Sequence, residues 1–311
     1  MLPVPLNGKN KFDKLVFGLN FFATINLLNK IKIILDTDIG YDPDDLFALL
    51  LLFASPEADI KLIVTADEVN GKRAKFLGKI LSLLGKGDTR LAVGQSLGRN
   101  DFIVDELLDD KEYESETDYV SVIKNIIDTE NDVVYLSIGG FTNLANFIDK
   151  YPEDAKKLKI YIMGGALNYS RKPGWVEHNV RIDLSSAKKV LESKLKPILI
   201  MSQTTFRPEY GVGASSPIFL KLLLSNNPVH KFLQRHCELW YEKKYNSTTM
   251  HDPLTVSVAL GKSFVTLNKS KIVMDEIGNM KIDESGYEIS WSDPISDTDG
   301  FMKYLEEKLF L

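Results

Sequence analysis

Short β-branched apolar runs alternate with amphipathic helical patterns along most of this 311-residue chain. Strands are predicted at Ile31–Leu35, Ile60–Thr65, Val133–Leu136, Ile160–Met163 and Ile198–Met201. Helices are predicted between them, at Pro43–Phe53, Lys72–Leu84, Val120–Ile127, Asn143–Asp149 and Ser185–Ser193. Strands that are apolar on both faces need cover on both sides, and the intervening helices supply it. The pattern implies an α/β fold: a mostly parallel central sheet with helices on both faces. From about Pro217 the pattern is helical, through Leu239. A small late β-rich subregion follows at Lys271–Ile289, with Gly278 and Gly286 as turn residues. Asp297–Phe310 reads as a surface helix with Phe301, Tyr304, Leu305 and Leu309 on one face. Residues 1–30 read as an N-terminal extension and 31–311 as one domain.

The end of the first predicted strand carries an unusual charge density. Leu35-Asp36-Thr37-Asp38-Ile39-Gly40-Tyr41-Asp42-Pro43-Asp44-Asp45 holds five carboxylates. Five like charges at the end of a buried strand repel one another unless something positive sits among them. A hard cation such as Ca²⁺ or Mg²⁺ takes oxygen ligands, and clustered carboxylates supply them. Gly40 permits the sharp turn that lets the two halves of the cluster converge. The alternative is a solvated acidic loop capping the next helix. The carboxyl end of a strand is where open α/β sheets put their ligands, which favours the metal site.

Four further segments punctuate strand ends. Ser137-Ile138-Gly139-Gly140-Phe141-Thr142-Asn143 follows the third strand, and Thr142 or Asn143 is a candidate cap for the next helix. Met163-Gly164-Gly165-Ala166 follows the fourth. In Glu177-His178-Asn179, strand alternation would put Glu177 and Asn179 on one face, suited to adjacent sugar hydroxyls. Met250-His251-Asp252-Pro253-Leu254 joins an acid to a metal ligand, or caps a helix with proline in its first turn.

Composition narrows the classes of partner. Hydrophobic and charged fractions of 44% and 26% are those of an ordinary globular protein, and a net charge of −5 advertises no nucleic acid or anionic membrane. One cysteine, Cys237, excludes an internal disulfide and a cysteine-based zinc site, and its apolar helical surroundings mark a buried structural thiol. The run Leu15–Ala23 is too short for a membrane span. Asn20, Asn26 and Asn29 interrupt it, so a surface helix or strand is expected rather than a signal peptide, and a cytoplasmic location with it.

Taken together, the motifs resemble those of the inosine–uridine-preferring nucleoside hydrolases, from about Ile31 to Leu311. The resemblance implies a Rossmann-like nucleoside hydrolase fold and Ca²⁺-dependent hydrolysis of the N-glycosidic bond of a small ribonucleoside. It implies Asp38, Asp45, Asp252 and the backbone carbonyl of Ile138 as metal ligands. Asp38 would also be the general base for the metal-bound water, Asp44, Glu177 and Asn179 would contact ribose, and His251 would protonate the departing base. It further implies a homodimer or homotetramer. The physics agrees: a carboxylate ring stabilises an oxocarbenium-like ribosyl cation, and an acid relieves the negative leaving base.

The chain departs from the family pattern in three places. Tyr41-Asp42-Pro43 lengthens the gap between the glycine and the paired aspartates, as one branch of the family does, leaving Asp42 a further ligand or a bystander. Thr65–Gly71 lacks the usual Thr-Val-x-Gly-Asn. Arg99–Asp118 lacks the His-Gly segment of the base pocket, so Phe206, Tyr210, Trp240 and Tyr241 become stacking candidates, with the core as their alternative place. Two other readings stay open: a hydrolase of another ribosyl compound, and a catalytically silent Ca²⁺-binding scaffold. An Asp-x-Asp phosphatase fails, because no basic residue follows the Ser137 turn to hold phosphate.

Overall fold

The structure is a computed structural model that describes residues 30–311. The readings of Leu15–Ala23 fall outside the described residues. Six strands form the parallel centre: β1 (Ile31–Thr37), β2 (Ala58–Thr65), β3 (Leu91–Ala92), β4 (Val133–Ser137), β5 (Lys159–Met163) and β6 (Ile198–Ile200). The helices among them are α1 (Asp44–Phe53), α2 (Lys72–Leu83), α3 (Tyr119–Thr129), α4 (Thr142–Lys150), the single turn α5 (Pro152–Ala155), α6 (His178–Ile182) and α7 (Leu184–Glu192). After β6 come α8 (Ser202–Thr205), β7 (Gly211–Gly213), α9 (Pro217–Leu224), α10 (Pro228–Lys243), β8 (Ser247–Thr249) and α11 (His251–Ala259). β7 and β8 pair as a separate small ribbon. The chain closes with β9 (Val265–Met274), β10 (Met280–Ile282), β11 (Tyr287–Ser296) and α12 (Thr298–Leu309).

The late β-rich segment joins the main sheet. β11 lies parallel to β6, and β9 and β10 follow antiparallel. The nine-stranded order is β10-β9-β11-β6-β5-β4-β1-β2-β3. Strand alternation divides the core. Ile33, Leu35, Ile63 and Leu136 face α1, α2 and α10 to α12, while Ile34, Leu62, Val64 and Tyr135 face α3, α4 and α7. Helix α1 is buried from Asp44 to Leu52, as expected of a helix apolar on all sides. Truncating its fully buried Phe47 to alanine should cost about 3–5 kcal/mol. The terminal α12 buries Phe301, Leu305 and Leu309 on one stripe.

This order sets the position of the site. β1 pairs with β2 on one side and β4 on the other, so successive connections leave in opposite directions. A crevice opens at the carboxyl ends of such a strand pair. The acidic segment and the Ser137 turn both lie there.

Candidate active site

β1 extends two residues past its apolar run, and parity then splits the acidic motif. Asp36 points with Ile34 toward the α3 and α4 face. There Tyr135 Oη donates to Asp36 Oδ2 at 2.6 Å and Asn143 Nδ2 to Oδ1 at 2.9 Å. Burial pushes this carboxyl up to about 7, with the two donors opposing. Thr37 points the other way and donates to Asp45. Gly40 turns the chain at φ 104°, a left-handed angle that favours glycine. Gly139, after β4, presses on the same turn: a Cβ there would lie 2.8 Å from Ala66 Cβ and 3.1 Å from Asp38 Oδ1.

Behind the turn lies Arg73, fully buried in the first turn of α2. Its guanidinium donates to the carbonyls of Asp38, Ile39 (2.7 Å), Asp67 (2.9 Å) and Asp101 (2.8 Å). It ties three loops together and leaves its positive charge beneath the acidic cluster. Glu68 holds the same helix by accepting from the amides of Val69, Arg73 and Ala74. Asp67 pairs with Arg99 at 3.1 Å. The segment that departs from the family pattern therefore engages both its carboxylates in internal contacts. Asp42, held by Thr248 and by the Asp44 amide, ties the start of α1 to β8, and burial pushes it up to about 6.

Asp44 and Asp45 open α1, and Asp252 lies in the first turn of α11. Helix N-termini favour negative charge, which helps hold the three in place. One oxygen from each lies within 4.8 Å of the others, and all three residues are buried. Burial first, and then mutual repulsion with Asp38 contributing, raises each carboxyl well above its ordinary range. Arg73 relieves Asp45 in part, but no lysine or arginine among the described residues forms an ion pair with Asp44, Asp45 or Asp252. Such a group requires protons or a cation. An all-oxygen, carboxylate-rich donor set of this kind fits a hard divalent ion.

The cluster floors a cavity of about 840 Å³ that also takes in Asp38, Ile138, Glu177, Asn179 and His251. Every residue singled out as a ligand, contact or acid in the sequence thus lines one space. Their local structure differs in one respect. Glu177 and Asn179 do not share a strand face. Glu177 is the N-cap of α6, accepting from the amides of Gly165, Asn179 and Val180, donors that a strand would have spent on its neighbour. Asn179, in the helix, donates to the carbonyls of Ile138 (3.2 Å) and Met163 (3.0 Å). A carbonyl has two lone pairs, so Ile138 keeps one. Thr142 and Asn143 do not cap α4. Thr142 donates to Asp183, and Asn143 binds Asp36, the Thr65 carbonyl and the Gln95 amide.

His251 Nδ1 lies 2.6 Å from Thr205 Oγ1. Burial, followed by the charge of Arg171 and the proximity of His178, pushes the ring down to about 3, so it is neutral near pH 7. Phe206 lies parallel to it within 5°, centroids 6.1 Å apart. Of the four stacking candidates, Phe206 and Trp240 line the cavity. Tyr210 is fully buried in the core, and Tyr241 donates to the Val212 carbonyl. Tyr41 and Tyr245, which flank Trp240 at 5.4 and 5.5 Å, complete an aromatic wall the sequence did not reveal. Arg171 was likewise not singled out. Cys237 is buried, with its thiol pushed far up by burial, and is structural.

Comparison with known proteins agrees with this geometry. The family model for inosine-uridine preferring nucleoside hydrolases matches residues 33–295, and the chain belongs to that family. It is on that ground a nucleoside N-ribohydrolase. The pyrimidine-specific ribonucleoside hydrolase RihA of Escherichia coli O81 (strain ED1a) is 25% identical over 259 residues, covering 76% of this chain and 81% of RihA. Among solved structures, the plant nucleoside hydrolase PpNRh1 matches with a TM-score of 0.76 at 21% identity, covering 90% of this chain and 98% of that one. A purine-preferring ribonucleoside hydrolase from Gardnerella vaginalis gives 0.75 at 21%, covering 89% and 98%. No helix among the described residues is long and apolar enough to cross a membrane.

Proposed function

We propose that the chain hydrolyses the N-glycosidic bond of ribonucleosides with the aid of calcium. The observation that carries this reading is the convergence of Asp44, Asp45 and Asp252, buried and lacking an ion-pair partner among the described residues, at the switch point of the sheet. Asp38, Asp45, Asp252 and the Ile138 carbonyl would hold the ion, which when bound supplies Lewis acidity toward water and fixes the ribose diol. Asp38 takes the proton of the attacking water as general base. Asp44, Glu177 and Asn179 hold ribose hydroxyls, and the surrounding carboxylates stabilise the ribosyl cation as the bond breaks. His251, neutral and held at Nδ1 by Thr205, offers its other ring nitrogen's N–H as a hydrogen bond to the departing base as negative charge develops there. The aromatic wall of Tyr41, Trp240 and Tyr245 supplies a face for the base.

A catalytically silent scaffold would have no chemical reason to gather base, acid and metal carboxylates in one cavity. The relatives named above differ in preferring pyrimidines or purines, so the preference of this chain is to be measured. Inosine, uridine, cytidine, adenosine and guanosine, each scored for free ribose with and without calcium, test the reading. Calcium-dependent release from at least one is expected. No release from any would overturn it.

A further inference from the structure

The cavity has an acidic floor and a wall of opposite sign. Arg171, Lys172 and Arg181 line it alongside Glu177. The chain as a whole is acidic, at −5, and many surface cations among the described residues are paired with a neighbouring carboxylate, as Lys188 is with Glu276 and Lys221 with Glu306. These three are not: among the described residues none has a carboxylate within ion-pair distance. Arg181 meets only the His178 ring, at 3.2 Å. Arg171 is also fixed in place. Its guanidinium lies 3.4 Å from the Phe206 ring centroid and 5.0 Å from that of Trp175, and it donates to Ser202 Oγ at 3.0 Å. An arginine clamped between aromatic faces has given up its side-chain freedom before any ligand arrives. Arg171 also engages the Tyr169 side chain, and the donors left over keep the planar geometry matched to carboxylate and phosphate.

Glu177 shares the cavity with Arg171 but makes no ion pair with it, and neutral ribose and a neutral base offer no anion to take up the fork directly. We propose that this site takes a ribosyl compound carrying an anionic group away from the scissile bond, and that Arg171 receives that group. The proposal rests on the ribohydrolase reading and narrows its substrate class. Arg171 packs on Phe206, whose other neighbour is the parallel His251 ring on the leaving-group side, and Glu177 on the sugar side lines the same cavity. Two sources share the required chemistry: a phosphate on the sugar and a carboxylate on the base.

Product binding separates these sources without requiring turnover. The calcium-supplemented full-length protein is titrated calorimetrically with ribose, ribose 5-phosphate, uracil and orotate. One anionic product should bind about tenfold to a hundredfold tighter than its neutral counterpart, the size of a charge-assisted hydrogen bond. Tighter ribose 5-phosphate assigns the charge to the sugar, and tighter orotate assigns it to the base. Arg171→Gln should erase the difference and Arg171→Lys should restore part of it, a rescue that a purely packing role would not give. Anionic and neutral products bound alike, or a preference that survives Arg171→Gln, would overturn the proposal. Either outcome is independent of the ribose-release panel, which tests the hydrolase reading itself.

Discussion

Asp36 and Asp45 come from one short motif, both are buried, and the protein treats them in opposite ways. Asp36 faces the α3 and α4 side, where Tyr135 and Asn143 donate directly to it. Asp45 faces the crevice with Asp44 and Asp252, where the direct donor is Thr37 and the nearest neighbours are other carboxylates. A buried carboxylate surrounded by donors is structural, and its hydrogen bonds are supplied within the fold even where burial still raises its pKa. A buried carboxylate surrounded by its own kind is completed from outside. On the proposed reading, the two sides of one strand end separate scaffold from chemistry.

The largest expected contrast is in turnover. Asp45→Ala and Asp252→Ala should each reduce kcat by about a thousandfold or more, the scale on which removing a transition-state charge partner acts. Ribose release from a nucleoside the wild type accepts reads this directly. Activity kept within an order of magnitude would erase the distinction between the two sides.

His251 tests whether the crevice also carries the leaving-group chemistry. His251→Ala should slow natural nucleosides by about a hundredfold, the lower range of general acid catalysis. It should largely spare p-nitrophenyl riboside, whose leaving group needs no proton. Equal losses on both substrates would make the histidine a positioning residue, with the hydrogen supplied elsewhere in the pocket.

The calcium-dependent part of stability, rather than pH alone, distinguishes the sides, because burial raises Asp36 as well, to about 7. Asp42 at about 6, and Asp44, Asp45 and Asp252 by direction, hold protons more readily folded than unfolded, where the reference value is 3.8. Their favourable contribution is present below about pH 4 and is lost as pH rises through about 6, the value of Asp42, and above it for the other three. The stabilisation given by calcium should therefore grow over that window, reaching about 2.7 kcal/mol at a hundredfold excess over Kd. Urea unfolding with calcium or chelator, at pH 4 and 7.5, measures it. A calcium effect that does not grow between the two pH values would contradict the assignment.

The smallest effect lies on the structural side. Tyr135→Phe removes one donor from Asp36 and should cost about 1–3 kcal/mol of stability while leaving turnover unchanged. Denaturant midpoints and kcat, measured together, separate the two. A loss of activity without a loss of stability would place Asp36 among the functional residues.

Much of this was legible in the sequence because it is written in periodicity and local charge. The β1–α1 acidic segment, the alternation of strands and helices, and the ends of β4 and β5 all follow from patterns within ten residues of one another. The split of the acidic motif also lies in parity, since Ile34 and Asp36 share a face, but what lines each face depends on α3 and α4 from another part of the chain. Arg73 gives no signal at all: one arginine in an amphipathic helix looks solvated, and only tertiary structure surrounds it with carbonyls. Alternation alone puts Glu177 and Asn179 on a strand face. The capping bonds that make Glu177 a helix start outweigh alternation over so short a segment. Arg171, Tyr41 and Tyr245 belong to loops or strand ends, where position is set by distant contacts rather than by neighbouring residues.

The unpaired side of the cluster is expected to hold a divalent cation in the working protein. Elemental analysis of purified, active protein tests it most directly. Close to one calcium per chain is expected, lost together with turnover on chelation and restored with it on readdition. Full activity in protein that contains no divalent metal would contradict it.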